Sequence, residues 1–174
     1  VKEILKRTLV RMLICCVIAL LFCITGNAKV PYIPKIINYS VSDYKAGNQN
    51  WAVSQGPGGK MYIGNNRGLL VFDGIHWDLV KLPNNLGVRA LYISKDGRIY
   101  VGSFEEFGYF EMDDENDLIY HSLSSSEMNV YLNNDEFWTI NEYKGEIYFQ
   151  SFRSFFIYDG EKVRKGVSDL SPLY

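Results

Sequence analysis

Residues 96–111 read Asp96-Gly97-Arg98-Ile99-Tyr100-Val101-Gly102-Ser103-Phe104-Glu105-Glu106-Phe107-Gly108-Tyr109-Phe110-Glu111. A turn pair opens the stretch, and Gly97 supplies the positive φ that a tight hairpin needs. Ile, Tyr and Val follow, then small and polar residues, then Phe and Tyr; these apolar types favour strands. The reading is a hairpin, a strand, a loop and a second strand.

The same text occurs twice more. Gly59-Lys60-Met61-Tyr62-Ile63-Gly64 leads to Gly68-Leu69-Leu70-Val71-Phe72-Asp73-Gly74, and Gly145-Glu146-Ile147-Tyr148-Phe149-Gln150 leads to Ser154-Phe155-Phe156-Ile157-Tyr158-Asp159-Gly160. Anchored on Tyr62, Tyr100 and Tyr148, the units are 38 and 48 residues apart. Self-similarity at such a period points to propeller blades or another repeat array. Each unit reads as four short strands. These are 51–54, 60–64, 69–73 and 76–82, then 88–93, 98–102, 107–111 and 118–123, then 137–141, 146–150, 155–159 and a weaker piece at 161–165. Gly58-Gly59, Asp96-Gly97 and Lys144-Gly145 are placed to join strands one and two, and Asp73-Gly74 and Asp159-Gly160 strands three and four. No stretch after Ala28 keeps a helical period. The fold class is therefore all-β, with about three four-stranded propeller blades and an incomplete ring.

Working outward, residues 1–28 are a different kind of sequence. Lys2, Lys6, Arg7 and Arg11 precede an unbroken apolar run of 13 residues, Met12 to Ile24, and then Thr25-Gly26-Asn27-Ala28. This is the pattern of a signal peptide cut after Ala28, with an uncleaved anchor as the alternative. Its removal takes four basic residues, one acidic residue and every cysteine (Cys15, Cys16 and Cys23), leaving 146 residues of net charge −5. No thiol nucleophile, disulfide or Cys-based metal site then remains. The acidic balance argues against a general nucleic-acid binder, and an exported chain without disulfides suits a bacterial periplasm. The expected organisation is signal peptide 1–28, leader 29–46, blade one 47–83, blade two 84–123, a long loop 124–136 and an incomplete blade three 137–174. Within the leader, Ile36-Ile37-Asn38-Tyr39 is either a ring-closing strand or a plain run into the first blade.

Gly47-Asn48-Gln49-Asn50-Trp51, Asn65-Asn66-Arg67-Gly68-Leu69-Leu70-Val71-Phe72-Asp73-Gly74 and the run Asp96–Phe110 resemble the N-terminal blades of two-component-regulator-type propellers. The similarity is greatest to Bacteroidetes sensor regulators that carry a triple-tyrosine-motif domain. It covers about residues 36–165. The resemblance implies a periplasmic propeller, a β-sandwich, one transmembrane helix and a cytoplasmic output, either a histidine kinase or a LuxR-type helix-turn-helix. It also implies sensing of a small glycan or another periplasmic effector. The resemblance further implies around seven blades, so this chain is expected to be the N-terminal part of a larger ring. Its expected partners are that effector and the remaining blades or a second chain. Membrane contact would come only through the later part, and nucleic-acid contact not through this segment.

Catalytic chemistry has little support in the sequence. There are two histidines, His76 and His121, both in outer strands, and no Gly-x-Ser-x-Gly elbow accompanies them. Asp113-Asp114-Glu115-Asn116-Asp117 fails as a calcium loop, because Leu118 stands where Gly is needed and Ser124 where Glu is needed; it reads as a polar turn. Glu105 and Glu106 are adjacent, so they point apart and make a poor acid–base pair. No catalytic, cofactor or metal residue is assigned, and the chain is expected not to be an enzyme. A non-enzymatic envelope scaffold and, behind it, a carbohydrate-active propeller enzyme are the alternatives to a sensor.

Blade topology supplies one candidate site. The loop entering strand one and the loop joining strands two and three emerge at the same end. They gather Asn48, Asn50, Asn66, Arg67, Phe104, Glu105, Glu106, Phe152 and Arg153. Such side chains hydrogen-bond hydroxyls and stack on sugar rings, and they form the expected ligand-binding face.

Overall fold

A computed structural model describes residues 2–24, 34–125 and 128–167. The expected cleavage segment 25–28 lies outside them. Two compact units are present, residues 1–37 and 38–174. In the first, Lys2–Ile24 forms helix α1. Among the described residues no helix is long and apolar enough to cross a membrane.

The second unit consists of three four-stranded antiparallel sheets in sequence order. After a short helix α2 (Val41–Tyr44), the first sheet is β1 (Asn50–Gln55), β2 (Met61–Asn65), β3 (Gly68–Phe72) and β4 (Trp77–Val80). The second is β5 (Ala90–Ile93), β6 (Ile99–Gly102), β7 (Phe107–Met112) and β8 (Leu118–Ser122). Helix α3 (Asn129–Leu132) interrupts the expected long loop. The third sheet is β9 (Phe137–Tyr143), β10 (Glu146–Ser151), β11 (Phe155–Tyr158) and β12 (Val163–Lys165). The sheets are propeller blades. Their first strands, β1, β5 and β9, lie side by side, and the described residues form an open arc rather than a closed ring. Glycines at the strand joints take the positive φ expected of them, among them Gly97 (92°) and Gly145 (82°).

Strand alternation decides which neighbour each side chain meets. Tyr62, Leu69 and Val71 of blade one pack with Val88, Ile99, Val101 and Phe110 of blade two. The opposite face of blade two does the same with blade three. There Phe107 is fully buried, with ring centroids 4.7 Å from Phe137, 4.8 Å from Phe149 and 5.3 Å from Phe156. Each such burial contributes roughly 1.5–3 kcal/mol.

Close approach of the blades depends on two glycines at one repeat position. A Cβ on Gly64 would sit 2.9 Å from the Val88 carbonyl, and one on Gly102 would sit 2.6 Å from the Phe137 Cβ. The equivalent residue in blade three is the exposed Gln150. Beside these glycines the Asn65 carbonyl accepts the Val88 N–H at 2.9 Å, and the Ser103 carbonyl accepts the Phe137 N–H at 3.0 Å.

Residues 34–40 contain no strand. Tyr39 instead meets Phe72 (5.0 Å) and Trp77 (5.2 Å) edge-on, while Tyr44 and Ala46 pack on Ile63 and Leu70. Residues 39–46 thus cover the face of blade one that points away from blade two. The far face of blade three carries an ion pair instead. Arg164 pairs with Glu146 at 2.8 Å, and the Tyr148 hydroxyl donates to the same carboxylate at 3.0 Å.

Candidate functional site

Each blade carries a buried polar residue at the end of its second strand: Asn65, Ser103 and Ser151. Their side chains fasten the loops that enter the first strands. Asn65 Nδ2 donates to the carbonyls of Gly47 (2.7 Å) and Gln49 (3.1 Å) and to Asn50 Oδ1 (2.7 Å), and its Oδ1 accepts the Gly47 N–H at 2.9 Å. Ser103 Oγ donates to the Gly87 carbonyl at 2.6 Å, and Ser151 Oγ to Asp135 Oδ2 at 2.5 Å. These bonds hold the two loop sets together at one end of every blade.

A connected group spans all three blades at that end. Asn66 Oδ1 accepts Trp51 Nε1–H at 2.6 Å and an Arg89 Nη1–H at 2.5 Å, and Asn66 Nδ2 donates to Gln49 Oε1 at 2.6 Å. Arg89 lies over the Trp51 ring, 4.4 Å from its centroid, and its Nε donates to Glu136 Oε1 at 2.9 Å. Trp51 meets Trp138 edge-on at 5.6 Å, and Trp138 tilts against Phe152, also at 5.6 Å. Arg89 and Glu136 are only 22% and 23% exposed, so their attraction is less screened than that of a surface pair. Trp51, Phe104 and Phe152 stand 41%, 39% and 49% exposed. The result is a partly exposed aromatic surface tied to an arginine–carboxylate pair. It can stack on a ring and hydrogen-bond polar groups at its margin.

Local geometry explains why these side chains converge. Trp51 falls between Asn50, opposite Asn65, and Ala52, opposite Gly64, so it is the extra residue of a β-bulge. Trp138 is the extra residue between Phe137, opposite Ser151, and Thr139, opposite Gln150. Arg89 directly precedes Ala90, which is opposite Gly102. All three sit at one repeat position, and bulges re-aim side chains out of the sheet.

The expected site residues divide into several roles. Asn66 is the hub of the group, and Phe152 packs at its edge. Asn48 and Arg67 are exposed beside it, while Asn50 is tied to Asn65. Phe104 bridges to Glu136, and Glu105 accepts the Asn134 N–H at 2.5 Å, so this loop also docks blade three. Arg153 is exposed, with its Nη1 3.5 Å from the Asn133 carbonyl. Glu106 is turned to internal work. It accepts the hydroxyls of Tyr120 (2.8 Å), Ser122 (2.7 Å) and Ser124 (2.7 Å). Burial, then the Glu106 charge, pushes the Tyr120 phenol far above its usual range. Trp51, Arg89, Glu136 and Trp138 were not among the expected site residues.

Both histidines lie away from this group. His76 Nδ1 is 3.3 Å from Asp73 in the β3–β4 turn, and His121 Nε2 is 3.0 Å from Glu111. Asp113 caps its own turn through the N–H groups of Glu115 and Asp117.

No protein-family model and no curated protein matches the sequence. Solved structures do match the fold. The extracellular domain of BT4673 from B. thetaiotaomicron, described both as a one component system and as a hybrid two component system, aligns with TM-score 0.61 at 12% identity, over 78% of this chain and 19% of that one. The extracellular domain of the hybrid two component system BT3049 from the same organism aligns with TM-score 0.53 at 20% identity, over 76% of this chain and 18% of that one. Virginiamycin B lyase from Staphylococcus aureus aligns with TM-score 0.56 at 17% identity, over 78% of this chain and 45% of that one. The chain thus spans about a fifth of the two Bacteroides extracellular domains. At these identities the likeness is one of fold: the chain is a run of β-propeller blades, and the structures that share it include extracellular domains of the regulator type its sequence resembles.

Proposed function

We propose that the chain is a ligand-sensing propeller segment of a membrane-spanning regulator, exported through the signal of residues 1–28, and that it binds its effector at the Trp51–Arg89–Trp138 face. The observation that carries this reading is the convergence of one repeat position from three blades on a partly exposed aromatic surface. A scaffold would not need exposed tryptophan and phenylalanine held in place by a half-buried ion pair. The fold it shares with extracellular domains of Bacteroides regulators agrees with it. A small glycan is the effector class, because flat aromatic rings and amide and guanidinium donors are what sugar rings and hydroxyls engage. The output is a histidine kinase or a LuxR-type DNA-binding domain. Binding rather than catalysis is proposed, since the nearby carboxylates Glu105 and Glu136 are already engaged by Asn134 and Arg89.

Tryptophan emission tests this directly. Titration with a panel of oligosaccharides should quench or shift emission for at least one member, and Trp51→Ala and Arg89→Ala should each weaken that binding at least tenfold, a loss of about 1.4 kcal/mol. An unchanged response in both variants would refute the assignment of this face.

A further inference from the structure

The opposite end of the blades carries a second opening that the sensing face does not use. Between blades one and two, the hairpin before β2 and the turn before β6 frame a cleft of about 520 Å³. Lys60, Tyr62, Asp96, Arg98, Glu111 and Met112 line it. That volume lies in the range of small-molecule sites.

The polar groups of the cleft are unequally satisfied. Asp96 accepts the Ser94 hydroxyl and, at 3.5 Å, the Arg98 N–H. Glu111 takes Arg98 Nε at 3.2 Å on one oxygen and His121 Nε2 at 3.0 Å on the other. Both acids are therefore served from within. The donors are not. Lys60 makes no ion pair among the described residues. Tyr62 is 5% exposed, yet its hydroxyl has no hydrogen-bond partner among the described residues, and it is not sealed from solvent. The Tyr62 hydroxyl is therefore free to donate a hydrogen bond to an acceptor held in the cleft. Burial raises the Tyr62 pKa above its ordinary 10.0, so the hydroxyl stays a donor further into the alkaline range. Met112 and the Tyr62 ring add an apolar wall.

We propose that this cleft binds a small organic anion. Its oxyanion head, carboxylate or phosphoryl, meets Lys60 and the Tyr62 hydroxyl, and its apolar body lies against Met112. The site is separate from the Trp51–Arg89–Trp138 face and stands whether or not that face binds a glycan.

Calorimetric titration of the full chain with benzoate, phenyl phosphate and inorganic phosphate tests it. Benzoate or phenyl phosphate should bind, and the tighter of the two identifies the head as carboxylate or phosphoryl. Lys60→Ala and Tyr62→Phe should each weaken binding about tenfold or more, the loss expected for a hydrogen bond to a charged group. Lys95→Ala, which removes an exposed charge from the neighbouring cleft, should leave the affinity unchanged. The proposal is overturned if neither organic probe binds, or if Lys95→Ala weakens binding as much as Lys60→Ala. It is also overturned if Tyr62→Phe binds as well as the parent, or if inorganic phosphate binds as tightly as phenyl phosphate.

Discussion

Replacing Gly102 by alanine tests how the blades are spaced. The new Cβ would stand 2.6 Å from the Phe137 Cβ and 3.3 Å from both the Ala90 Cβ and the Phe137 carbonyl oxygen. Carbon atoms settle at about 3.5–4.0 Å, so the start of β9 must retreat by roughly 1 Å. Phe137 is fully buried against Phe107 and cannot swing away. Gly102 lacks a positive φ, so the cost is steric rather than conformational. Overpacking of this kind costs about 1–3 kcal/mol. In a unit of this size each kcal/mol moves the melting temperature by about 3–5 °C, which gives a drop of roughly 3–15 °C. Far-ultraviolet circular dichroism during heating reads the change, with a urea midpoint as a second measure. Gln150→Ala is the control, because the equivalent position in blade three is exposed and should tolerate the change. A Gly102→Ala chain that melts within about 1 °C of its parent would refute the idea that glycine sets the spacing.

Other outcomes follow from single interactions. Asn65→Ala removes the tie between the Gly47–Asn50 loop and β2, and should cost about 2–3 kcal/mol in urea unfolding, with faster exchange of the Gly47 amide. Backbone N–H bonds from His76 and Ile75 hold the Asp73 pKa at about 2, below its ordinary 3.8. That turn's contribution is therefore whole above pH 3.8 and lost as pH falls through about 2; amide exchange of Ile75 and His76 against pH checks it. Tyr120 has the opposite sign. Its pKa is raised by burial and then by Glu106, so its contribution is whole below its ordinary value of 10.0 and is lost as pH rises. Nuclear magnetic resonance of the ring should show no ionisation before alkaline unfolding, and Glu106→Gln should bring the titration down.

The strands were legible because their chemistry is local. Turn glycines and β-forming residues recur at fixed offsets, and alignment on Tyr62, Tyr100 and Tyr148 located twelve strands to within a few residues. The aromatic face was not legible, for reasons of register. Tyr62 pairs with Ser54 and Tyr100 with Tyr92, but Tyr148 pairs with Asn141, because a two-residue turn closes the third hairpin. A gapless alignment therefore sets Phe137, not Trp138, beside Trp51 and Arg89. Neither bulge has a sequence signature strong enough to correct that. The internal bonds of Glu106 were hidden for another reason. Its position on a loop suggested a ligand, yet Tyr120, Ser122 and Ser124 come from a strand and its tail that fold back onto it. The cleft at Tyr62 was hidden because a repeat tyrosine reads as core, and only burial combined with a missing partner sets it apart.

The carbonyls of Asn65 and Ser103 give assembly a direction. Each belongs to a finished hairpin, and each waits for an N–H supplied later in the chain, at Val88 and Phe137. A nascent chain can therefore complete one blade and offer it as the template for the next, as in other quasi-one-dimensional repeats. The contacts being closed span short stretches of sequence, which keeps each step quick. Mechanical pulling from the C-terminal side should reverse the order, peeling blade three away before the Asn65–Val88 bond is loaded. The same two bonds that join the blades would then make unfolding a sequence of steps rather than one event.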